Sequence, residues 1–143
     1  MSKVKRILSV IMAMVMVLAM SVPTFAATKD TATITVDNAG SATLTYAQVI
    51  KADQSTKTGW DFVNKAVAQA YMTAFGVVDA QAAIEAMIPA ENVDANKLGA
   101  AQASAANSVT FVPMTNPQSV DAAGVYLVKA AEAGYTYNLM SAY

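Results

Sequence analysis

From Thr31 to Val36 the chain alternates strictly, with Ala32, Ile34 and Val36 on one side and three Thr on the other. A period of two is the side-chain period of a strand, so this stretch predicts a half-buried strand. Asp37-Asn38-Ala39-Gly40 supplies a turn, because Asn and Gly tolerate positive φ. A second strand is predicted over residues 43–51, with Leu44, Tyr46 and Ile50 on one face and Thr45, Ala47 and Val49 on the other. Residues 53–59 form a polar turn, and Trp60-Asp61-Phe62 brings the chain back to the core.

The pattern then changes period. Residues 66–106 are rich in Ala, which favours helix but buries little surface per residue. Val63, Val67, Ala70, Tyr71, Ala74 and Phe75 recur at helical spacing, and Gly76 is a C-terminal stop. Asp79 reads as the N-cap of a second helix with Ile84, Met87 and Ile88 on its buried face, ended by Pro89. Residues 94–107 predict a third, weaker helix in which Leu98 is the large apolar residue. The helical insert thus covers about residues 63–107.

Strand signals return beyond it. Residues 108–112 are a short β run ending at Pro113, and Asn116-Pro117 starts a turn. Residues 124–130 read as a strong strand, Glu132-Ala133-Gly134 turns the chain, and residues 135–143 alternate to the last letter. That ending predicts either the front part of a longer protein or an exposed edge strand. Strands at both ends of a helical segment must pair to close one core. The expected fold class is therefore mainly β with a helical insert (α+β): a β-sandwich carrying two to three Ala-rich helices.

The first 26 residues have a different character. Lys3, Lys5 and Arg6 precede an apolar run over residues 7–20 that only Ser9 interrupts. Small side chains around Thr24-Phe25-Ala26 then predict cleavage between Ala26 and Ala27, the pattern of an export signal. A retained anchor is the other reading, but the run is shorter than the about 20 residues of a comfortable span. Residues 27–143 are left as one domain outside the cytoplasm, touching the membrane only transiently, through the signal. They hold six Lys against ten Asp and Glu, a net charge of −4, and no Arg. Nucleic-acid binding needs clustered cations, so this composition excludes it. The chain has no Cys and no His, which removes disulfides, thiol nucleophiles, the Ser-His-Asp relay and the usual zinc and copper sites.

Two stretches resemble a known family. Ala42-Thr43-Leu44-Thr45-Tyr46-Ala47-Gln48-Val49-Ile50, a polar turn and Trp60 look like the opening of the N-terminal domain of Gram-positive backbone pilins. Gly124-Val125-Tyr126-Leu127-Val128-Lys129, followed by Gly134-Tyr135, is similar to the G-x-Y strand and G-Y return of the same domains. The wider group is the isopeptide-forming fimbrial proteins, whose domains are Ig-like and related to collagen-adhesin B-type modules. The resemblance spans roughly residues 31–143. It implies assembly by sortase through a Lys, and domains locked by Lys-to-Asn or Lys-to-Asp amide bonds. It also implies other pilin subunits or surface proteins as partners, with sortase among them if the full-length chain carries a sorting motif. No L-P-x-T-G motif, Y-P-K motif or basic C-terminal tail occurs in the text, which predicts a truncated reading frame or a minor secreted relative.

The cross-link chemistry needs a neutral Lys amine in an apolar site beside a proton-shuttling carboxylic acid. In the family's common form the acid falls at Ala130; in a variant with the acid two residues later it falls at Glu132. Lys51 is then the candidate amine and Asn138 the candidate acceptor. In the competing reading Lys51 and Glu132 are solvated and Asn138 is an ordinary strand or turn residue. The expectation is that Lys51 lies beyond covalent range of Asn138, with Glu132 in solvent.

Other chemistries fare worse. The aromatic residues recur at core-facing spacing, which predicts packing rather than a carbohydrate stripe. Asp53, Asp61 and Asp79 do not match a calcium loop, and Asp37, Asp53 and Asp61 show no hydrolase pairing. The resulting expectation is a structural or adhesive surface protein, not an enzyme, with no cofactor. The alternatives are a secreted carbohydrate- or protein-binding module and, last, a carboxylate-based hydrolase.

Overall fold

The computed structural model describes residues 31–88 and 90–142. The signal segment with Ala26 and Ala27, as well as Pro89 and Tyr143, lies outside them. Helix and strand take nearly equal shares of the described residues, so the fold is mixed α and β, with antiparallel sheets and three α-helices. The chain divides into two units. One comprises the described residues up to Ala47 together with those from Phe111 onward; the other is Gln48–Thr110. The strands from the two ends of the chain thus share the first unit, while the strand residues 48–52 and 60–62 belong with the helices.

The first unit is built on alternation. Strand β1 (Ala32–Ile34) pairs antiparallel with β5 (Gln118–Val120), Ala32 opposite Val120. Ile34 and Val36 point inward, as the period-two pattern requires, and Thr33 is exposed. The chain turns through Asn38 (φ 56°) and Gly40 (φ 58°), and the Ala42 N–H closes the turn on the Ala39 carbonyl at 3.0 Å. Strand β2 (Thr43–Ala52) is followed later by the two-residue β4 (Val112–Pro113), which pairs with its Thr45 and Tyr46. Strand β6 (Gly124–Ala131) neighbours β2, and β7 (Met140–Ala142) lies beyond β6 with Tyr126 opposite Ala142. Both sheets feed one core of Ile34, Val36, Leu44, Val120, Tyr126 and Val128.

The second unit is built on local signals. The last residues of β2 pair with β3 (Trp60–Phe62), Ile50 opposite Phe62. Helix α1 (Lys65–Phe75) starts at Asn64, whose side-chain oxygen accepts the Val67 N–H at 2.9 Å. It stops at Gly76 (φ 71°), whose N–H reaches the Thr73 carbonyl while the Val77 N–H reaches Met72. This is a Schellman termination, which favours Gly because of the positive φ. Helix α2 (Ala80–Glu85) is capped by Asp79, and α3 (Ala95–Ala105) by Asp94. Small residues let α1 pack closely on α3. Val67, Ala70 and Tyr71 are the buried face of α1; Ala101, Gln102 and Ala105 are that of α3.

Several expectations need correction. Helix α2 ends at Glu85, so Met87 is half-buried and Ile88 is 49 % exposed instead of facing the core. Leu98 is only half-buried; Ala101 and Ala105 carry the seam of α3. The β run expected at 108–112 is displaced because α3 continues into a 3-10 turn (Ala106–Ser108), and its strand is Val112–Pro113. Pro113 is tolerated there because β4 is a short strand. The final strand is Met140–Ala142 only, since the Gly134 turn leaves residues 136–139 outside the ladder. Finally, β5 arises where only a turn was expected. Asn116 does not simply turn the chain: its side-chain oxygen accepts the Val36 N–H at 2.9 Å and its amide donates to the Val36 carbonyl at 2.8 Å.

Candidate functional site

Glu132 sits at the end of β6, on a four-residue turn closed by the Tyr135 N–H on its carbonyl at 3.2 Å. Gly134 has φ 82°, the value a type II turn demands at its third position. The turn sends the chain back so that Tyr137 faces Glu132. The Tyr137 hydroxyl donates to Oε2 of Glu132 at 2.6 Å, and the Ser41 hydroxyl donates to Oε1. Charge-assisted bonds of this kind are among the stronger ones. Glu132 is therefore half-buried and held by two hydroxyls, not simply solvated as expected. Tyr135 and Tyr137 stand side by side, ring centroids 6.4 Å apart and tilted by 35°.

The three residues of the candidate cross-link fall as follows. Glu132 and Asn138 belong to the first unit; Asn138 is exposed, between the turn and β7. Lys51 belongs to the second unit, exposed on β2 with Asp61 opposite in register. A neutral amine requires desolvation, and an exposed Lys does not provide it. Ala130, at the family's usual acid position, is half-buried in β6.

The aromatic side chains do not all go to the core. Phe62, Tyr71 and Tyr126 are buried, whereas Tyr46, Trp60, Phe75, Phe111, Tyr135 and Tyr137 are half-buried. Tyr126 donates to the Ala122 carbonyl at 2.7 Å; burial first, then Tyr46 and Asp121, pushes its hydroxyl up to about 12. The Lys129 ammonium stands 4.0 Å over the Phe111 ring, a cation–π contact.

A second polar cluster lies in the second unit. The Trp60 carbonyl accepts from the Thr56 hydroxyl and from the Gln81 amide. The Thr58 hydroxyl donates to Oε1 of Gln81 at 2.7 Å. Asp53 accepts from the hydroxyl and the N–H of Ser55; these bonds, then the Lys51 charge, hold its carboxyl below the ordinary value of 3.8. Lys57 pairs with Glu85 at 2.9 Å. This network ties residues 53–59 to the first turn of α2, which is a structural job.

Among the described residues no group of three or more His, Cys, Asp or Glu is placed to hold a metal ion. No helix among them is long and apolar enough to cross a membrane. Sequence reasoning found Glu132 but missed Ser41 and Tyr137. The signal for Tyr137 was the Gly134 turn itself, which folds residues beyond Tyr135 back on Glu132. Ser41 comes from 91 positions away and had no local signal. No protein-family model, curated protein or solved structure matches this chain.

Proposed function

We propose that this chain is the N-terminal domain of a structural, adhesive surface subunit of the Gram-positive pilin type, exported by its first 26 residues and acting at the cell surface without catalysis. The observation that carries this reading is the identity of two neighbouring strands. The stretches that resemble backbone pilins, residues 42–50 and 124–129, lie chiefly in β2 and β6, and Gly134-Tyr135 forms the return turn. In this reading the first unit is an Ig-like sandwich of the collagen-adhesin B type, with β1–β5 as one layer and β2, β6 and β7 as the other. Its partners are further pilin subunits or surface proteins, and sortase where the complete reading frame supplies a sorting motif. Lys51, Glu132 and Asn138 form no amide bond: Lys51 is solvated and Glu132 is committed to Ser41 and Tyr137.

The test is expression of the complete open reading frame with its flanking genes in a Gram-positive host. Immunoblots of cell-wall extract against residues 31–142 should show a ladder resistant to detergent. A single species released to the medium, with nothing attached to the wall, overturns the assembly reading. Intact mass of the product should place its N-terminus at Ala27, with no deficit of one ammonia.

A secreted binding module is the second reading. It is favoured by one observation, the half-exposed Tyr135–Tyr137 pair beside a fixed carboxylate.

A further inference from the structure

We propose that Tyr135 and Tyr137, with Ser41 and Glu132 at their polar end, form a binding face for a neutral saccharide. The inference rests on the first unit alone and stands or falls separately from assembly by sortase.

One residue separates the two tyrosines, so in extended backbone their side chains leave on the same side. Their rings lie 6.4 Å apart and only 35° from parallel, a paired aromatic surface. Neither ring is taken into the core, in contrast to Phe62, Tyr71 and Tyr126. A half-exposed aromatic pair offers large contact area at low entropy cost, since each ring has two side-chain torsions.

The polar end selects among ligands. Tyr137 is tied through its hydroxyl to Glu132, which fixes the ring before any ligand arrives; such preorganisation favours binding. A phenolic O–H lies in the ring plane, so the carboxylate sits at the rim of Tyr137 and leaves the face to an apolar surface. The C–H face of a sugar ring is such a surface. Ser41 is exposed and gives its proton to Glu132, so it meets a ligand as a hydrogen-bond acceptor. The ligand must therefore bring hydroxyl donors. An anion is repelled by Glu132. Both Glu132 oxygens already accept hydroxyl protons, which weakens their pull on a cation. A neutral polyol with one apolar face satisfies all of these conditions.

The test is titration of the isotopically labelled secreted chain, observed by amide chemical shifts. The probes are methyl glycosides of glucose, galactose, mannose and N-acetylglucosamine, their β- and α-linked tetraoses, and tetramethylammonium chloride. Shifts centred on Ser41 and residues 132–138, saturating at about 1 mM saccharide or below, are expected. Tyr135→Ala should weaken that binding at least about tenfold, and Tyr137→Phe, which keeps the ring but frees it from Glu132, several-fold. Unchanged thermal midpoints separate these losses from unfolding, and the wild-type shift map stands even if a variant misfolds. The proposal is overturned if no saccharide perturbs these residues, if the shifts map elsewhere, or if tetramethylammonium alone perturbs them.

Discussion

The two units reach stability by different means. In the first, the strand pairings other than β6 with β7 join distant parts of the chain: Ala32 meets Val120, Thr45 meets Pro113, and Asn116 clasps Val36 across 80 positions. Its core is made of branched and aromatic side chains from both sheets. The second unit relies on neighbours. Asn64 caps Val67, Asp79 caps Gln81, Asp94 caps Asn96 and Lys97, and Gly76 closes α1. Its helices meet through Ala, which buries little surface, so the unit leans on a few large buried side chains: Val49, Ile50, Phe62, Val67, Tyr71 and Ile84. The difference teaches that the first unit is specified by register and the second by helix punctuation. Substitutions should hurt accordingly.

The largest contrast is in core truncation. Ile34 is 1 % exposed at the centre of the first unit's core, so Ile34→Ala leaves a cavity and should cost about 3 kcal/mol. Leu98→Ala removes a half-buried side chain from the Ala-rich α3 and should cost about 1 kcal/mol. Urea unfolding at neutral pH measures both. Equal losses would break the comparison, since α3 would then depend on Leu98 as heavily as β1 depends on Ile34.

Hydrogen-bonding residues sharpen it further. Asn116→Ala removes both bonds to the Val36 backbone and leaves those groups to be satisfied otherwise, at a cost of about 2 kcal/mol. Asn116→Asp keeps the acceptor for the Val36 N–H but loses the donor to its carbonyl, so it should fall between wild type and Ala. Asn64→Ala removes one N-cap and should cost about 1 kcal/mol. Amide exchange distinguishes their reach. Asn116→Ala should speed exchange in β1 and β5, and Asn64→Ala in the first turn of α1 and next to Ser108, whose carbonyl accepts from the Asn64 amide at 3.0 Å. Fast exchange throughout α1–α3 in the Asn64 variant contradicts a locally punctuated unit.

This division also explains what was legible in the sequence. Gly76, Asp79 and Asp94 mark helix ends through groups within a few residues, so the three helices and most of their limits could be read directly. The inward positions of Ile34, Val36 and Leu44 were legible because period two is local as well. Register was not. Strand β5 has no signal in Gln118-Ser119-Val120 and exists because β1 offers its edge. Met87 and Ile88 keep helical spacing beyond the residue at which α2 stops, so pattern alone overextended the helix. At the candidate site, Glu132 and the Gly134 turn were readable, whereas Ser41 reaches Glu132 only through the folded first unit.

Tyr71 exposes a weakness of the helical unit. Its side chain is fully buried against Phe62, ring centroids 5.0 Å apart, and its hydroxyl has no hydrogen-bond partner among the described residues. Burial pushes that hydroxyl far above its ordinary value of 10.0. Tyr71→Phe deletes the unpartnered oxygen and keeps the ring, so stability should rise by up to about 1 kcal/mol. A loss on this substitution, measured by the same urea titration, would show that the hydroxyl is satisfied in solution.

The smallest expected effect is the acid response of the loop over residues 53–59. Asp53 is half-exposed, and the Ser55 hydroxyl and N–H lower its pKa from the ordinary 3.8. A lowered folded-state value means the folded loop prefers the ionised carboxylate. Its contribution is fully present above the unfolded value and fades as pH falls through the folded one. Solvent screening keeps the effect slight. The carboxyl resonance of Asp53 should therefore titrate below 3.8, and Asp53→Asn should flatten the pH dependence of the thermal midpoint only in that acid range. The response should stay within the second unit, because Asp53 bonds to Ser55 and feels Lys51, all on one stretch of chain. Ser55→Ala is the sharper probe: it removes the hydroxyl but keeps the backbone N–H, so the Asp53 titration should move part of the way back toward 3.8. A titration left in place by Ser55→Ala assigns the shift to the backbone and Lys51 instead.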